Sequence, residues 1–276
     1  MKHWKFAALL SFALFFFGCA TTHAQMPTLH QTQVELQKSR QAVVQVLHTY
    51  SVLNINDSGN LILDSVGNPT TKPETAIGTG AVVDVNGFVI TNNHVITPHL
   101  TSDPVVNQFL SESSAFPDTY FVCTIVAEQS NCSVAVVAAT DVADDLALLY
   151  TKHPLPRAVE FRDSTGLMPQ EEVYMWGNVL DFIPLASVSG RYMGTMSKPY
   201  YTSPSPFLAQ LPLLIVDITT INGFSGGPMF DTSGKCIGLE GAHIPADFGR
   251  PVGVAIPSNT VVKFWEDNKP AEPKKK

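Results

Sequence analysis

The chain has 276 residues, with 17 Lys and Arg against 24 Asp and Glu and a net charge of −7. That acidic balance argues against nucleic-acid binding, which would want a basic face, and the terminal Lys274-Lys275-Lys276 is too short to alter it. A hydrophobic content of 45% suffices for one large domain or two small packed ones.

The chain opens with Lys2 and Lys5, continues with an apolar run from Phe6 to Gly18, and carries no acidic residue before Glu35. The run is shorter than the roughly 20 residues of a membrane span, so it reads as a secretory signal. Two processing outcomes stay open. Phe16-Phe17-Gly18-Cys19 resembles a bacterial lipobox, which would remove residues 1–18 and lipidate Cys19; Thr22-His23-Ala24 offers a small-x-small site that would remove residues 1–24. Either outcome predicts an exported protein that touches a membrane only through such an anchor.

Residues 25–41, rich in Gln, predict a tether leading into one short helix. Short apolar runs then alternate with turns at 43–53, 77–85, 88–91, 120–126, 133–139 and 146–150. Asn86-Gly87 between two such runs is a hairpin signal. The stretches 54–74 and 98–117 read as surface insertions. A second set of runs occupies 172–176, 186–192, 211–219, 228–230, 235–241 and 252–256, and 259–268 predicts a closing amphipathic helix. Strands at this spacing indicate an all-β barrel or sandwich architecture, and two halves of similar size suggest two barrels. The predicted division is 42–160 for a first barrel, 161–266 for a second with the closing helix, and 267–276 for a disordered tail.

Four cysteines are present, none in a C-x-x-C pair, which argues against a zinc or redox motif. Export permits disulfides. Cys123 and Cys132 either close a short loop or remain two buried thiols, and Cys236 reads as a small core residue. A metal site on His94 and His99 has little support, because Pro98 interrupts helical spacing and no acidic partner lies nearby. Neither metal nor cofactor is expected.

Three segments carry the chemistry. Gly223-Phe224-Ser225-Gly226-Gly227 can turn sharply and aim the amides of Gly223 and Ser225 at one point, an arrangement that stabilises the oxyanion of a tetrahedral intermediate. The same letters satisfy the nucleophile elbow of α/β-hydrolases, but Pro228 follows where a helix should start, and His243 is the sole histidine beyond it. His94 ends an apolar strand, Phe88 to Asn93, a position that holds an imidazole rigidly. Asp145, rather than Asp144, enters the apolar Leu146-Ala147-Leu148-Leu149, where a carboxylate needs a hydrogen-bonding partner such as an imidazole N–H; Asp144 is expected to be solvated. A nucleophile, a base and a carboxylate that orients the base are the minimum set for splitting an amide through an acyl intermediate.

Together these segments resemble a trypsin-like serine peptidase of the bacterial HtrA (Deg) type. The likeness runs from about Ala42 to Trp265. It includes Gly78-Thr79-Gly80-Ala81-Val82-Val83-Asp84, Thr91-Asn92-Asn93-His94-Val95, Asp145 to Leu149, Asp217 to Gly227, and Gly253 to Asn259. Trp176-Gly177-Asn178 and Ser187-Val188-Ser189-Gly190 resemble the elements that border the specificity pocket. The resemblance implies two packed six-stranded antiparallel β-barrels, with His94 and Asp145 from the first facing Ser225 from the second. It also implies polypeptide substrates and a periplasmic, membrane-anchored or secreted location. Phe224 departs from the Asn or Asp usual before the nucleophile, and no PDZ module is expected after the closing motif.

From the same resemblance the specificity pocket is walled by Thr219, Thr220, Asn222, Leu239, Glu240 and His243. Glu240 is placed near the rim, where it would favour a basic side chain or face solvent. Two functional readings follow: an active exported endopeptidase, and a catalytically silent binding or chaperone-like module on the same scaffold.

Overall fold

The computed structural model describes residues 28–58, 60–97, 118–126, 129–179, 183–196, 212–220, 222–244 and 252–271. The leader with Cys19, the insertion at 98–117 and the extreme C-terminus lie outside them.

The first element is α1 (Leu29–Arg40). Thr28 caps it: its hydroxyl accepts from the Gln31 amide while the Gln31 side chain accepts from the Thr28 amide, and Lys38 and Arg40 occupy the negative end of the helix dipole. Six strands follow: β1 (Val43–Leu53), β2 (Thr71–Asp84), β3 (Phe88–Asn92), β4 (Thr119–Val126), β5 (Gln129–Asp141) and β6 (Leu146–Thr151). They close into a barrel in the order β1-β2-β3-β6-β5-β4, with every neighbouring pair antiparallel. A four-residue helix, α2 (Asn93–Ile96), continues β3.

The second barrel closes in the order β10-β11-β12-β9-β8-β7. Its strands are β7 (Glu172–Val179), β8 (Ile183–Met196), β9 (Leu213–Val216), β10 (Pro228–Phe230), β11 (Cys236–Ile244) and β12 (Val252–Pro257). Helix α3 (Ser258–Asn268) closes the chain and buries Val261 and Phe264. Their partners include Leu36 of α1, Ile90 and Leu148 of the first barrel, and Phe230 and Leu239 of the second, so this cluster glues the two barrels together. Each barrel also has its own core, built on Val46, Val89 and Leu149 in the first and on Met175, Phe224 and Ile237 in the second. No helix among the described residues is long and apolar enough to cross a membrane.

Two expectations change here. The 54–74 insertion is shorter than its composition suggests, because β2 starts at Thr71 and pairs with Leu53; the polar Thr71 to Thr75 continue the ladder where both faces meet water. Helix α3 runs through Asn268, two residues into the predicted tail at 267–276. Cys123 and Cys132 face each other across β4 and β5 and form a disulfide, while Cys236 is a buried free thiol.

Candidate active site

Asp145 sits at the entry to β6 with a φ of 52°, a left-handed backbone that Asp and Asn tolerate better than most residues. That turn buries its carboxyl completely and aims it at α2. One carboxylate oxygen accepts from the His94 amide at 2.9 Å, and the other meets His94 Nδ1 at 2.7 Å. A carboxylate only accepts, so Nδ1 carries the proton and Nε2 keeps its lone pair. The Asp145 carbonyl accepts from the Asn93 amide at 3.0 Å and from Asn92 Nδ2 at 3.1 Å, so the end of β3 is clamped from both directions. The His94 side chain remains 31% exposed, enough for a reactant to reach it. Burial alone would lower the pKa of His94. The hydrogen bond and charge of Asp145, with a smaller contribution from Glu240 when that carboxyl is ionised, outweigh burial and raise it above 6.5.

Ser225 lies on the turn between β9 and β10, and this turn packs directly on the His94 segment. A Cβ on Gly78 would meet Val95 at 2.6 Å on one side and the Ser225 carbonyl at 3.2 Å on the other. A Cβ on Gly226, whose φ is +81°, would lie 2.3 Å from the Thr79 carbonyl and 3.0 Å from the Asn92 amide. These glycines are what allow the two barrels to approach so closely. The Thr79 amide donates to the Ser225 carbonyl at 2.9 Å, and the Thr79 hydroxyl donates to the Gly223 carbonyl at 2.7 Å. Gly223 itself has a φ of +101°.

No hydrogen bond joins Ser225 to His94 among the described residues. The Ser225 hydroxyl lies instead close enough to the Glu240 carboxyl to influence its ionisation. Glu240 is pinned to the nucleophile turn by its backbone: the Gly226 amide donates to its carbonyl at 2.9 Å, and its own amide donates to the Gly227 carbonyl at 2.9 Å. Burial, with a further push from the Asp145 charge, raises the Glu240 pKa to about 8, against opposing contributions from Thr220, Ser225 and His94.

The sequence-derived pocket wall is redistributed. Thr220 is buried, whereas Thr219 and Asn222 are exposed. Glu240 is only 2% exposed and so does not stand at a rim. Leu239 turns the other way, into the core shared by both barrels, because successive side chains of β11 point to opposite faces. The side chain of His243 lies outside the described residues. Asp144 is half-buried rather than solvated; burial first, and the charge of Asp141 second, raise its pKa.

One positioning residue, Thr79, escaped the sequence reading. Thr79 accepts from the Asn178 amide at 3.0 Å and from Asn178 Nδ2 at 3.1 Å, tying β7 to β2 and to the Ser225 turn at once. The available signal was a lone hydroxyl between two glycines in the apolar half of β2. Phe224, the departure before the nucleophile, is 1% exposed and packs in the second-barrel core. Its ring fills the space over Gly177, where a Cβ would come within 2.4 Å of it. An apolar anchor therefore holds this turn where a polar residue is usual.

A family model described as "Trypsin-like peptidase domain" matches residues 78–239. The chain belongs to the trypsin-like peptidase family. Among its curated relatives, the "Serine protease Do-like HtrA" of Bacillus subtilis (strain 168) is 24% identical over 221 residues, covering 78% of this chain and 45% of the relative. The "Magnetosome formation protease MamE" of Paramagnetospirillum magneticum is 28% identical over 208 residues, covering 74% and 25%. A "Probable periplasmic serine endoprotease DegP-like" of Rickettsia prowazekii is 29% identical over 205 residues, covering 71% and 34%. The chain thus spans less than half the length of these relatives. Solved structures share the fold: "HtrA-type protease AlgW with decapeptide" has a TM-score of 0.59 at 19% identity, covering 86% of this chain and 66% of that one. "Crystal structure of Deg5" has a TM-score of 0.57 at 20% identity, covering 85% and 91%.

Proposed function

We propose that this chain is an exported serine endopeptidase in which His94 and Asp145 of the barrel at 42–160 serve Ser225 of the barrel at 161–266. The observation that carries the reading is the 2.7 Å His94 Nδ1–Asp145 contact, which leaves Nε2 basic on a segment packed against the Ser225 turn. The Ser225 hydroxyl needs to turn from Glu240 toward Nε2; catalytic hydrogen bonds commonly tighten only when substrate is bound.

Ser225 Oγ then attacks the peptide carbonyl carbon as its proton passes to His94 Nε2. The carbonyl oxygen becomes an oxyanion and is received by the amides of Gly223 and Ser225. As the tetrahedral species collapses, the C–N bond breaks and His94 delivers its proton to the departing amine. Water, deprotonated by the same imidazole, attacks the acyl-enzyme and frees the second product and Ser225. Asp145 stays ionised throughout and offsets the imidazolium charge.

Export rests on the basic-then-apolar leader and on relatives described as periplasmic. Whether Cys19 is lipidated is read by metabolic labelling with a radiolabelled fatty acid, with Cys19→Ala as control. The activity is tested with a fluorophosphonate probe. Stoichiometric labelling of the folded wild type and none of Ser225→Ala is expected; a folded wild type that stays unlabelled makes the chain a silent binding module.

A further inference from the structure

Glu240 and Thr220 form a buried polar wall beside the nucleophile that the fold itself does not use. Glu240 is 2% and Thr220 4% exposed. Glu240 Oε2 and Thr220 Oγ1 are both shut off from solvent, and neither makes a hydrogen bond among the described residues. The Thr220 and Ser225 hydroxyls lie near enough to the carboxyl to act on it, yet without bonding geometry for Oε2. A buried acceptor left unsatisfied costs roughly 1–3 kcal/mol, and more if charged, so an apolar residue here would serve stability better.

The placement is fixed by backbone. Paired bonds hold the Glu240 backbone against Gly226 and Gly227, the two residues that follow Ser225, and strand alternation sends its side chain away from the Leu239 core. Pairing with β12 slips by one residue just after Glu240, leaving Gly241 as a bulge before the ladder resumes at Ala242 and Val254. A three-torsion side chain can turn to meet an entering group with no backbone movement.

We propose that Glu240, assisted by the Thr220 hydroxyl, is the residue that selects a lysine or arginine side chain at P1, the residue whose carbonyl Ser225 attacks. This inference rests on the peptidase reading above. A cationic P1 group brings N–H donors and no acceptor, the complement of an unpartnered carboxylate oxygen and hydroxyl oxygen. The charged groups that act on Glu240 are His94, whose cation favours the carboxylate, and Asp145, whose anion opposes it. With its pKa pushed up to about 8, the free Glu240 carboxyl holds a proton at neutral pH. Binding of a cation expels that proton, so preference for a cationic P1 strengthens as pH rises through that value and persists until a lysine ammonium itself titrates, near 10.4.

The test uses paired fluorogenic peptides differing only in P1, lysine against its uncharged near-isostere norleucine, with the folded chain and its Glu240→Gln and Thr220→Val variants. Melting curves confirm that the variants fold, and fluorophosphonate labelling at Ser225 is read in parallel. The expected result is a lysine-to-norleucine ratio of kcat/KM of about 100 at pH 9 that shrinks toward pH 6.5. Glu240→Gln should cut that ratio at least tenfold and remove its pH dependence, and Thr220→Val should cut it by a smaller factor. A wild type that labels at Ser225 but cleaves both peptides equally overturns the assignment, as does a Glu240→Gln variant that slows both peptides by the same factor. A wild type that neither labels nor cleaves removes the peptidase reading, and this one with it.

Discussion

The Thr79 hydroxyl, on a strand of the first barrel, donates a 2.7 Å hydrogen bond to the carbonyl of Gly223, on the turn that presents Ser225 from the second. One side chain therefore links the barrel that supplies the base to the loop that supplies the nucleophile. Thr79→Val keeps the shape and removes the hydroxyl, leaving the Gly223 carbonyl and the Asn178 amide without this partner. Stability should fall by about 1–3 kcal/mol. If the bond also sets the direction of the Gly223 amide, kcat should drop about tenfold or more with KM little changed, and Thr79→Ser should restore both. Steady-state kinetics with thermal melts read this out.

Asp145→Asn tests the orienting carboxylate with the left-handed turn kept, since Asn accepts the φ of 52°. The amide can still accept from the His94 main chain through its oxygen. It then presents an NH2 group to Nδ1, which selects the wrong imidazole tautomer. A loss of about 10⁴ in kcat is expected with the fold intact by circular dichroism. A loss below tenfold would remove Asp145 from the mechanism.

Much of this arrangement was legible in the sequence because it depends on local rules. Short apolar runs and the Asn86-Gly87 turn announced the strands, and the glycines around Ser225 announced a sharp turn; that Gly226 also lets the Thr79 and Asn92 backbone approach was not announced. What stayed hidden is non-local. Nothing near Thr79 reveals that its partners lie at Gly223 and Asn178, on the other barrel. The burial of Glu240 was hidden too. A glutamate in a strand normally marks a solvent face, and only the closed barrel shows this one turned inward beside Ser225.

Phe224 illustrates a departure that the fold has absorbed. Its ring is part of the second-barrel core with Met175 and Ile237, so Phe224→Ala should cost about 3–5 kcal/mol and loosen the Ser225 turn. Restoring the usual polar residue with Phe224→Asn should destabilise as well, since it buries an amide over Gly177 and among apolar side chains. Chemical denaturation of both variants measures the cost; a Phe224→Asn variant as stable as wild type would show that packing does not hold the turn.

Glu240 should also shape the pH dependence of stability. Its folded pKa of about 8 stands above the ordinary carboxylate value of 4.5. Its contribution is therefore fully present below that ordinary value and is lost progressively as pH rises through about 8, where the buried group must ionise. Wild type should melt at progressively lower temperature between pH 5 and pH 9, more steeply than Glu240→Gln. Parallel melting curves for the two proteins would contradict the burial of an ionisable carboxyl at this position.

The most direct measurement of the account's central claim is the rate at which a fluorophosphonate modifies Ser225 in folded wild type and in folded His94→Ala. If an imidazole on one barrel activates a hydroxyl on the other, wild type labels to one equivalent at Ser225 and the variant reacts at least about 10³-fold more slowly. Equal rates in the two proteins, or modification at a serine other than Ser225, would contradict it.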